Sequence, residues 1–335
     1  MSDRTIAHRS TSPSRPITRR RALAAIAAPA VMALAAACGG GSATSSAQPT
    51  ATVSPSPSAS ASSYPMTVTA ANGDVIVAAQ PHGIVSLSPT ATEMLFAVGA
   101  GTQVKAVDDQ SSYPANAPRT KLSGFQPNAE AVAGYNPDLV VISNDSNGLL
   151  DSLKALKIPT LLLPAAATLQ DAYGQTSLLG KVTGHADQAS AVVADMQKRI
   201  SAATASVPAK VKGWKIYHEV DQTYYSVTSG TFIGSIYTMF GLKNIADAAG
   251  NTAGGYPKLS AEFVVKAAPD VIVLADSQCC GQSITTLAKR PAFAEVPAVK
   301  NGLVLTVPDD IASRWGPRTA DLTETVAAAL AKAGQ

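Results

Sequence analysis

Several residue types that specialised chemistry depends on are scarce in this chain. Its 335 residues include four histidines, three cysteines and two tryptophans, and aromatic side chains make up 5%. A direct zinc or manganese receptor needs several convergent His and carboxylate ligands. Here His82, His185 and His218 fall on a strand entry, a helix entry and a strand, where each reads as structural. No Gly-x-Ser-x-Gly elbow is present, and His218-Glu219 lacks the second His of a zinc-protease motif. Gly99-Ala100-Gly101 follows a helical segment and lacks a third glycine, so it is no dinucleotide fingerprint. A net positive charge is missing from the body as well. The formal net charge is +3, but six arginines and one aspartate lie within residues 1–37, and without them 20 basic side chains face 22 acidic ones. A near-neutral body offers no electrostatic case for nucleic acid. The sequence therefore does not read as an enzyme, although an exported enzyme and a purely structural surface lipoprotein remain rival classes.

What the chain does have begins with an export pattern. Thr18-Arg19-Arg20-Arg21-Ala22-Leu23 is similar to a twin-arginine signal, a pattern shared with many general export signals. The Ala-rich stretch 22–37 is short for a membrane span and suits a signal-peptide core. It ends in Ala35-Ala36-Ala37-Cys38, similar to a bacterial lipobox, which would make Cys38 the lipid-bearing first residue of the mature protein. The other reading is an ordinary secreted protein with a coincidental Cys. Residues 39–63 hold only Gly, Ser, Ala, Thr, Gln, Pro and Val, a composition that cannot bury a core and acts as a tether. The expected organisation is a signal peptide over 1–37, a lipid-anchored linker over 38–64, an α/β lobe over 65–183, a connecting helix over 184–207 and a second α/β lobe over 208–335.

One unit occurs twice. Asn128-Ala129-Glu130 leads through a short apolar turn to Pro137-Asp138 and the run Leu139-Val140-Val141; Ser260-Ala261-Glu262 leads likewise to Pro269-Asp270 and Val271-Ile272-Val273. Each position lies 132 residues from its partner, the spacing of two similar lobes rather than of a solenoid, unless the match of two helix-turn-strand units is chance. Around the repeats the pattern predicts a hairpin turning at Asn72-Gly73, strands over 84–87, 104–107, 139–142 and 160–163, and a helix with a Thr90/Glu93 capping box. Residues 168–207 carry no strand signal, and the amphipathic run from Ala186 to Ala205 predicts one long helix. Strands follow over 214–220, 224–227, 271–275 and 304–307, with a closing helix from Thr319 to Ala333. Strands alternating with helices predict mostly parallel sheets.

Gly83 to Glu93, Ser112-Tyr113-Pro114, both Glu…Pro-Asp repeats and Arg314-Trp315-Gly316-Pro317-Arg318 resemble the periplasmic substrate-binding proteins of ABC importers for ferric siderophores, haem and cobalamin. The resemblance spans about residues 74–333. It implies two similar α/β lobes with mostly parallel sheets joined by one rigid helix, a ligand cleft between the lobes, and no catalytic activity. It further implies a monomer, lipid-anchored at the extracytoplasmic face of the cell membrane, that passes a metal chelate to an ABC permease dimer with its cytoplasmic ATPase. A ferric siderophore is the leading ligand; cobalamin or another corrinoid comes second, because the Asp310/Arg314 pattern resembles that branch, and haem is the other alternative. By the same resemblance Glu130 and Glu262 dock into arginines of the two permease subunits. A glutamate in a first helical turn also favours the helix dipole by ~0.5 kcal/mol, and the two roles are compatible.

Strand carboxyl ends and the resemblance together nominate Tyr113, Phe125, Tyr225, Tyr256 and Trp315 as ligand-facing aromatics, each with core packing as its alternative. Phe125 and Tyr256 precede the two glutamate helices by similar distances and are expected to face one another. Asp310 and Arg314 match pocket positions of the family: Arg314 would hold a ligand carboxylate or phosphate, or the two would form a surface ion pair. Cys279-Cys280 are the remaining thiols once Cys38 is lipidated. Export favours oxidation, so a vicinal disulfide at the cleft rim is expected, although adjacent Cα atoms ~3.8 Å apart are closer than an ordinary bridge prefers.

Overall fold

The computed structural model describes residues 63–250 and 252–335; the arginine-rich leader, Cys38 and nearly all of the tether lie outside the described residues. The described chain begins with an antiparallel hairpin, β1 (Met66–Ala70) and β2 (Gly73–Val77), closed as expected at Asn72. That side chain also pins the hairpin to the first lobe, donating to the Thr160 carbonyl at 2.9 Å and accepting from the Leu162 N–H at 3.0 Å.

The first lobe runs β3 (Ile84–Leu87), α1 (Pro89–Ala97), β4 (Val104–Val107), α2 (Ala129–Ala133), β5 (Leu139–Ile142), α3 (Leu149–Ala155) and β6 (Thr160–Leu162). The second runs β7 (Lys215–Glu219), α6 (Phe232–Met239), β8 (Lys243–Asn244), α7 (Ala261–Ala267), β9 (Val271–Leu274), α8 (Ser277–Cys280), α9 (Ile284–Ala288), α10 (Pro297–Lys300), β10 (Val304–Thr306), α11 (Asp309–Ala312) and α12 (Thr319–Ala333). Between them lie α4 (Leu169–Thr183) and α5 (Ala186–Ser206), and α5 packs against both α4 and α12. The sheets are parallel, with orders β4-β3-β5-β6 and β10-β9-β7-β8. Numbered within its own lobe, each sheet reads second-first-third-fourth. The two lobes thus share one topology, and the central strands β3, β5 and β9 are buried along their whole length because helices cover both faces.

The repeated sequence has a structural reason. Asp138 accepts from the N–H groups of His82 (2.8 Å) and Gly83 (2.9 Å), and Asp270 accepts from Lys215 N–H (2.8 Å). Each Pro-Asp therefore ties the start of its lobe's third strand to the start of the first. The capping residues are equivalent too, Asn128 accepting from Ala131 N–H and Ser260 from Phe263 N–H. Val132 and Val264, also 132 apart, are the fully buried anchors of α2 and α7. Burying such a side chain stabilises by ~2 kcal/mol.

The sequence expectations need correcting in three places. Ser88, not Thr90, caps α1, accepting from Ala91 N–H with Pro89 in the first turn, so Glu93 sits inside the helix rather than in a capping box. The strand-free segment holds two helices, not one, because α4 continues through Gly174 and Gly180 and stops at Gly184, whose φ of +79° turns the chain into α5. Residues 224–227 contribute a single bridge from Tyr225 to Lys258 instead of a strand, and the short β8 takes the edge position. Among the described residues no helix is long and apolar enough to cross a membrane.

Cys279 and Cys280 end α8 and are joined to each other by a disulfide. Reduction of the native protein should add two hydrogens to the intact mass; two thiols that alkylate freely without reductant would refute the bridge.

Candidate functional site

Where strands end, the two lobes face each other across a cleft of about 590 Å³. Ser88 follows β3 and Ser143 follows β5 on one side; Gln278, Asp309, Asp310, Arg314 and Trp315 follow β9 and β10 on the other. Beyond the carboxyl ends of parallel strands is where open α/β sheets bind ligands. A larger hollow, about 700 Å³, is formed by the hairpin, the segment after β6 and α4. It takes no wall from the second lobe, so the interlobe cleft is the stronger candidate.

The first-lobe wall is held by a buried chain of hydroxyls. Thr92 Oγ1 donates to Ser86 Oγ at 2.9 Å and lies 3.0 Å from Ser111 Oγ, which donates to Asp108 Oδ1 at 2.5 Å. Burial raises the pKa of Asp108. This chain fixes the start of the loop that carries Gln110 and Ser112 into the cleft.

Across the cleft the lobes are joined by charge. Glu93 of α1, with 1% of its side chain exposed, accepts from Arg314 Nη1 at 2.6 Å and from Arg318 Nε at 2.9 Å. Asp310 accepts from Arg318 Nη2 at 2.7 Å, and the Gln110 carbonyl from Arg314 Nη2 at 3.0 Å. Burial works against the charge on Arg318, but its bonds to Glu93 and Asp310 outweigh that and raise its pKa.

Of the aromatics nominated from sequence, Phe125 and Trp315 line the cleft, together with Asp310 and Arg314. Trp315 also donates to Gln175 Oε1 at 2.8 Å and packs against a core cluster of each lobe. Tyr113 stands behind the wall, its ring 4.0 Å from the Arg318 guanidinium, at a smaller hollow that also includes Phe96 and Pro317. Tyr225 and Tyr256 sit on the second lobe, partly exposed and outside the lining of the cleft, and Lys258 Nζ is 5.7 Å from the Tyr225 ring. Phe125 is 75% exposed, and Tyr256 is not the residue opposite it in the cleft. Sequence reasoning missed Glu93 and Arg318 as partners, although both stood inside the motifs it singled out. Glu130 and Glu262 are exposed in the first turns of α2 and α7. Hydrogen bonds from its own backbone N–H and from Ser260 lower the pKa of Glu262.

A second charged cluster underlies the second-lobe wall. Glu219, fully buried at the end of β7, accepts two 2.6 Å bonds from Arg290, whose guanidinium lies over the rings of Tyr224 and Phe293. Asp276, just past β9, is buried beside it with no hydrogen-bond partner for either oxygen. Burial first, and then the Glu219 charge, lift its pKa to about 7. His218 faces the opposite side of β7, buried against Tyr237 OH at 2.6 Å, and burial lowers its pKa to about 4. Among the described residues no three His, Cys, Asp or Glu side chains converge as a metal site.

Two alike α/β lobes, a cleft at their strand ends and a helix packed along both define a ligand-binding protein of the two-lobed periplasmic type. Residues 84–311 match the family described as periplasmic binding protein, and the chain belongs to that family, a class of ABC-transporter substrate-binding proteins and not of enzymes. It is 29% identical over 277 residues to an uncharacterized ABC transporter substrate-binding lipoprotein, YvrC, of Bacillus subtilis, covering 80% of this chain and 86% of that protein. It is 33% identical over 218 residues to a cobalamin-binding protein of Halobacterium salinarum, covering 63% of this chain and 58% of the relative. Among solved structures, the vitamin B12 binding protein BtuF of Vibrio cholerae superposes with a TM-score of 0.64 at 23% identity, covering 76% of this chain and 99% of that one, a likeness of fold.

The Asp276 carboxyl gives the protein a pH dependence of definite sign. In the unfolded chain it ionises near 3.8, whereas in the folded protein it keeps its proton to about pH 7. The folded state then binds the extra proton, so this contribution to stability is complete below pH 3.8, declines as pH rises toward 7 and is flat above. Asp276→Asn should remove that decline and raise stability at pH 8 by up to about 4 kcal/mol, a tenfold change in proton affinity being worth about 1.4 kcal/mol. Denaturant unfolding at pH 5 and pH 8 measures both; the same decline in variant and wild type would refute the assignment.

Proposed function

We propose that the protein is a lipid-anchored, extracytoplasmic receptor that captures a corrinoid, cobalamin or a close relative, and delivers it to an ABC permease dimer with its cytoplasmic ATPase. In this reading residues 1–37 direct export, Cys38 carries the lipid, residues 38–64 are the tether, and the two lobes with their connecting helix act as a monomer. The observation that carries the ligand class is the make-up of the cleft wall, which among the described residues contains no His, Tyr, Met or Cys. Haem iron needs an axial ligand of that kind. A corrinoid or a complete ferric chelate brings its metal already coordinated and asks only for surfaces that fit its periphery. Trp315 and Phe125 suit a flat macrocycle, and Ser88, Thr90, Gln110, Ser112, Ser143, Gln278 and Ser313 suit its amide fringe. The cobalamin-binding relative supports the same choice. A ferric siderophore is the second reading, favoured by Arg119, exposed on the wall as a contact for an anionic chelate.

Glu130 and Glu262 are proposed to dock the receptor. They occupy equivalent exposed positions on duplicated helices, so a permease with two equivalent subunits could meet each with the same cationic pocket.

Titration with cyanocobalamin should quench Trp315 fluorescence, and Trp315→Phe should lose most of that signal. Quenching by ferric chelates without any response to cobalamin would reverse the order of the two readings, and no response to cobalamin, haem or chelates would sink both. The Glu130→Ala/Glu262→Ala double variant should bind ligand as wild type does while uptake falls by at least about tenfold. Unchanged uptake would disprove the docking role.

A further inference from the structure

One arginine on a cleft wall with a second just behind it, as Arg314 and Arg318 are here, ordinarily marks an anion site. Here both are already committed. Arg314 spends one terminal nitrogen on Glu93 and the other on the Gln110 carbonyl, and Arg318 is divided between Glu93 and Asp310. One face of the Arg318 guanidinium is covered by the Tyr113 ring. The four charges of the cluster cancel. Elsewhere on the wall, Asp109 and Asp309 outnumber Arg119, and Asp309 is itself turned toward the N–H groups of Gln278 (3.1 Å) and Cys279 (2.9 Å).

We propose that Glu93 is a built-in counter-ion that sets the charge class of the ligand: by holding Arg314 and Arg318 from the opposite lobe, it makes the cleft a receptor for neutral or cationic metal complexes and excludes polyanionic chelates. The inference rests on the reading of the interlobe cleft as a chelate site. A polyanion could take the guanidinium nitrogens that hold Glu93 only by displacing that carboxylate, which would then be buried and unpaired, the costliest way to break such a cluster. A neutral corrinoid makes no such demand. Specificity here comes from an obstacle to the wrong ligand as much as from contacts to the right one. Glu93 is outside the lining of the cleft and works through the two arginines, so it is a positioning residue.

The test compares two probes, neutral cyanocobalamin and a trianionic ferric tris-catecholate, on the full folded body, with circular dichroism to check the fold. Wild type should prefer cyanocobalamin. In Glu93→Gln the ratio of the two affinities should move toward the anion by about tenfold or more. That gain should shrink as salt is raised and vanish when Arg314→Gln, at the arginine that lines the cleft, is added, effects that a general loosening of the cleft would not produce. Should Glu93→Gln fail to fold, Asp310→Asn, at a more accessible carboxylate of the same cluster, should move the ratio in the same direction. A folded Glu93→Gln protein with an unchanged ratio, or a wild type that already prefers the anion, overturns the assignment of Glu93 while leaving the cleft a ligand site. Failure of wild type and variants alike to bind either probe overturns the reading of the cleft, and this proposal with it.

Discussion

A carboxylate with 1% of its side chain exposed cannot stay ionised inside a protein unless its charge is met at hydrogen-bonding distance. Glu93 is met from across the cleft, by Arg314 and Arg318 of the second lobe. That one requirement ties the lobes together. The segment between the arginines carries Trp315, which packs into a core cluster on each side, and α12 follows, bound to α5 through Arg199 with Asp321 and Glu324. Opening the cleft would separate Glu93 from both arginines at once. The geometry therefore favours a nearly fixed cleft, in which the ligand has to match walls that are already in place.

The duplication explains the scaffold but not the site. Both lobes use the same strand order, the same Asp pin between first and third strands, and the same single buried valine under the helix that bears the exposed glutamate. Their first strands end differently. β3 closes on Leu87-Ser88 and presents hydroxyls to the cleft; β7 closes on Glu219, the residue equivalent to Leu87 at a spacing of 132, and buries a carboxylate against Arg290. The second lobe thus carries an Arg-Glu pair at the strand end where the first has Leu87 in apolar packing, its buried Asp108 carboxylate being held by a hydroxyl instead.

Much of this architecture could be read from the sequence, because buried parallel strands appear as unbroken apolar runs. The strands β3, β5 and β9 and the long helix α5 fall where the pattern places them. α4 was hidden by Gly174 and Gly180, which weaken a helical pattern. The second of these lies where α4 meets Ala189 of α5, so the missing side chain serves close packing. Tyr224–Val227 has the composition of a strand, yet only Tyr225 finds a bridging partner. The cleft was partly legible, since Phe125, Asp310, Arg314 and Trp315 line it together. Glu93 was not. Thr90-x-x-Glu93 has the spacing of a capping box, and nothing local reveals that Ser88 has taken that role and released the glutamate to face residues more than 220 positions away.

That distance matters for how cargo and partner are separated. The features the two lobes share are an exposed Glu in the first turn of a capped short helix and the Asp-pinned strand that follows it, and under the proposed function they suit a partner with two like subunits. The features they do not share, Ser88 and Glu93 on one side and Asp310, Arg314 and Trp315 on the other, meet at the cleft and suit a single asymmetric ligand. Once the outer helices were fixed by the duplicated pins and valines, the strand ends could diverge without disturbing them. Under the proposed function, changes to the cleft charge through Glu93 should leave docking through Glu130 and Glu262 intact, because the two surfaces have no residue in common and are held by separate sets of bonds.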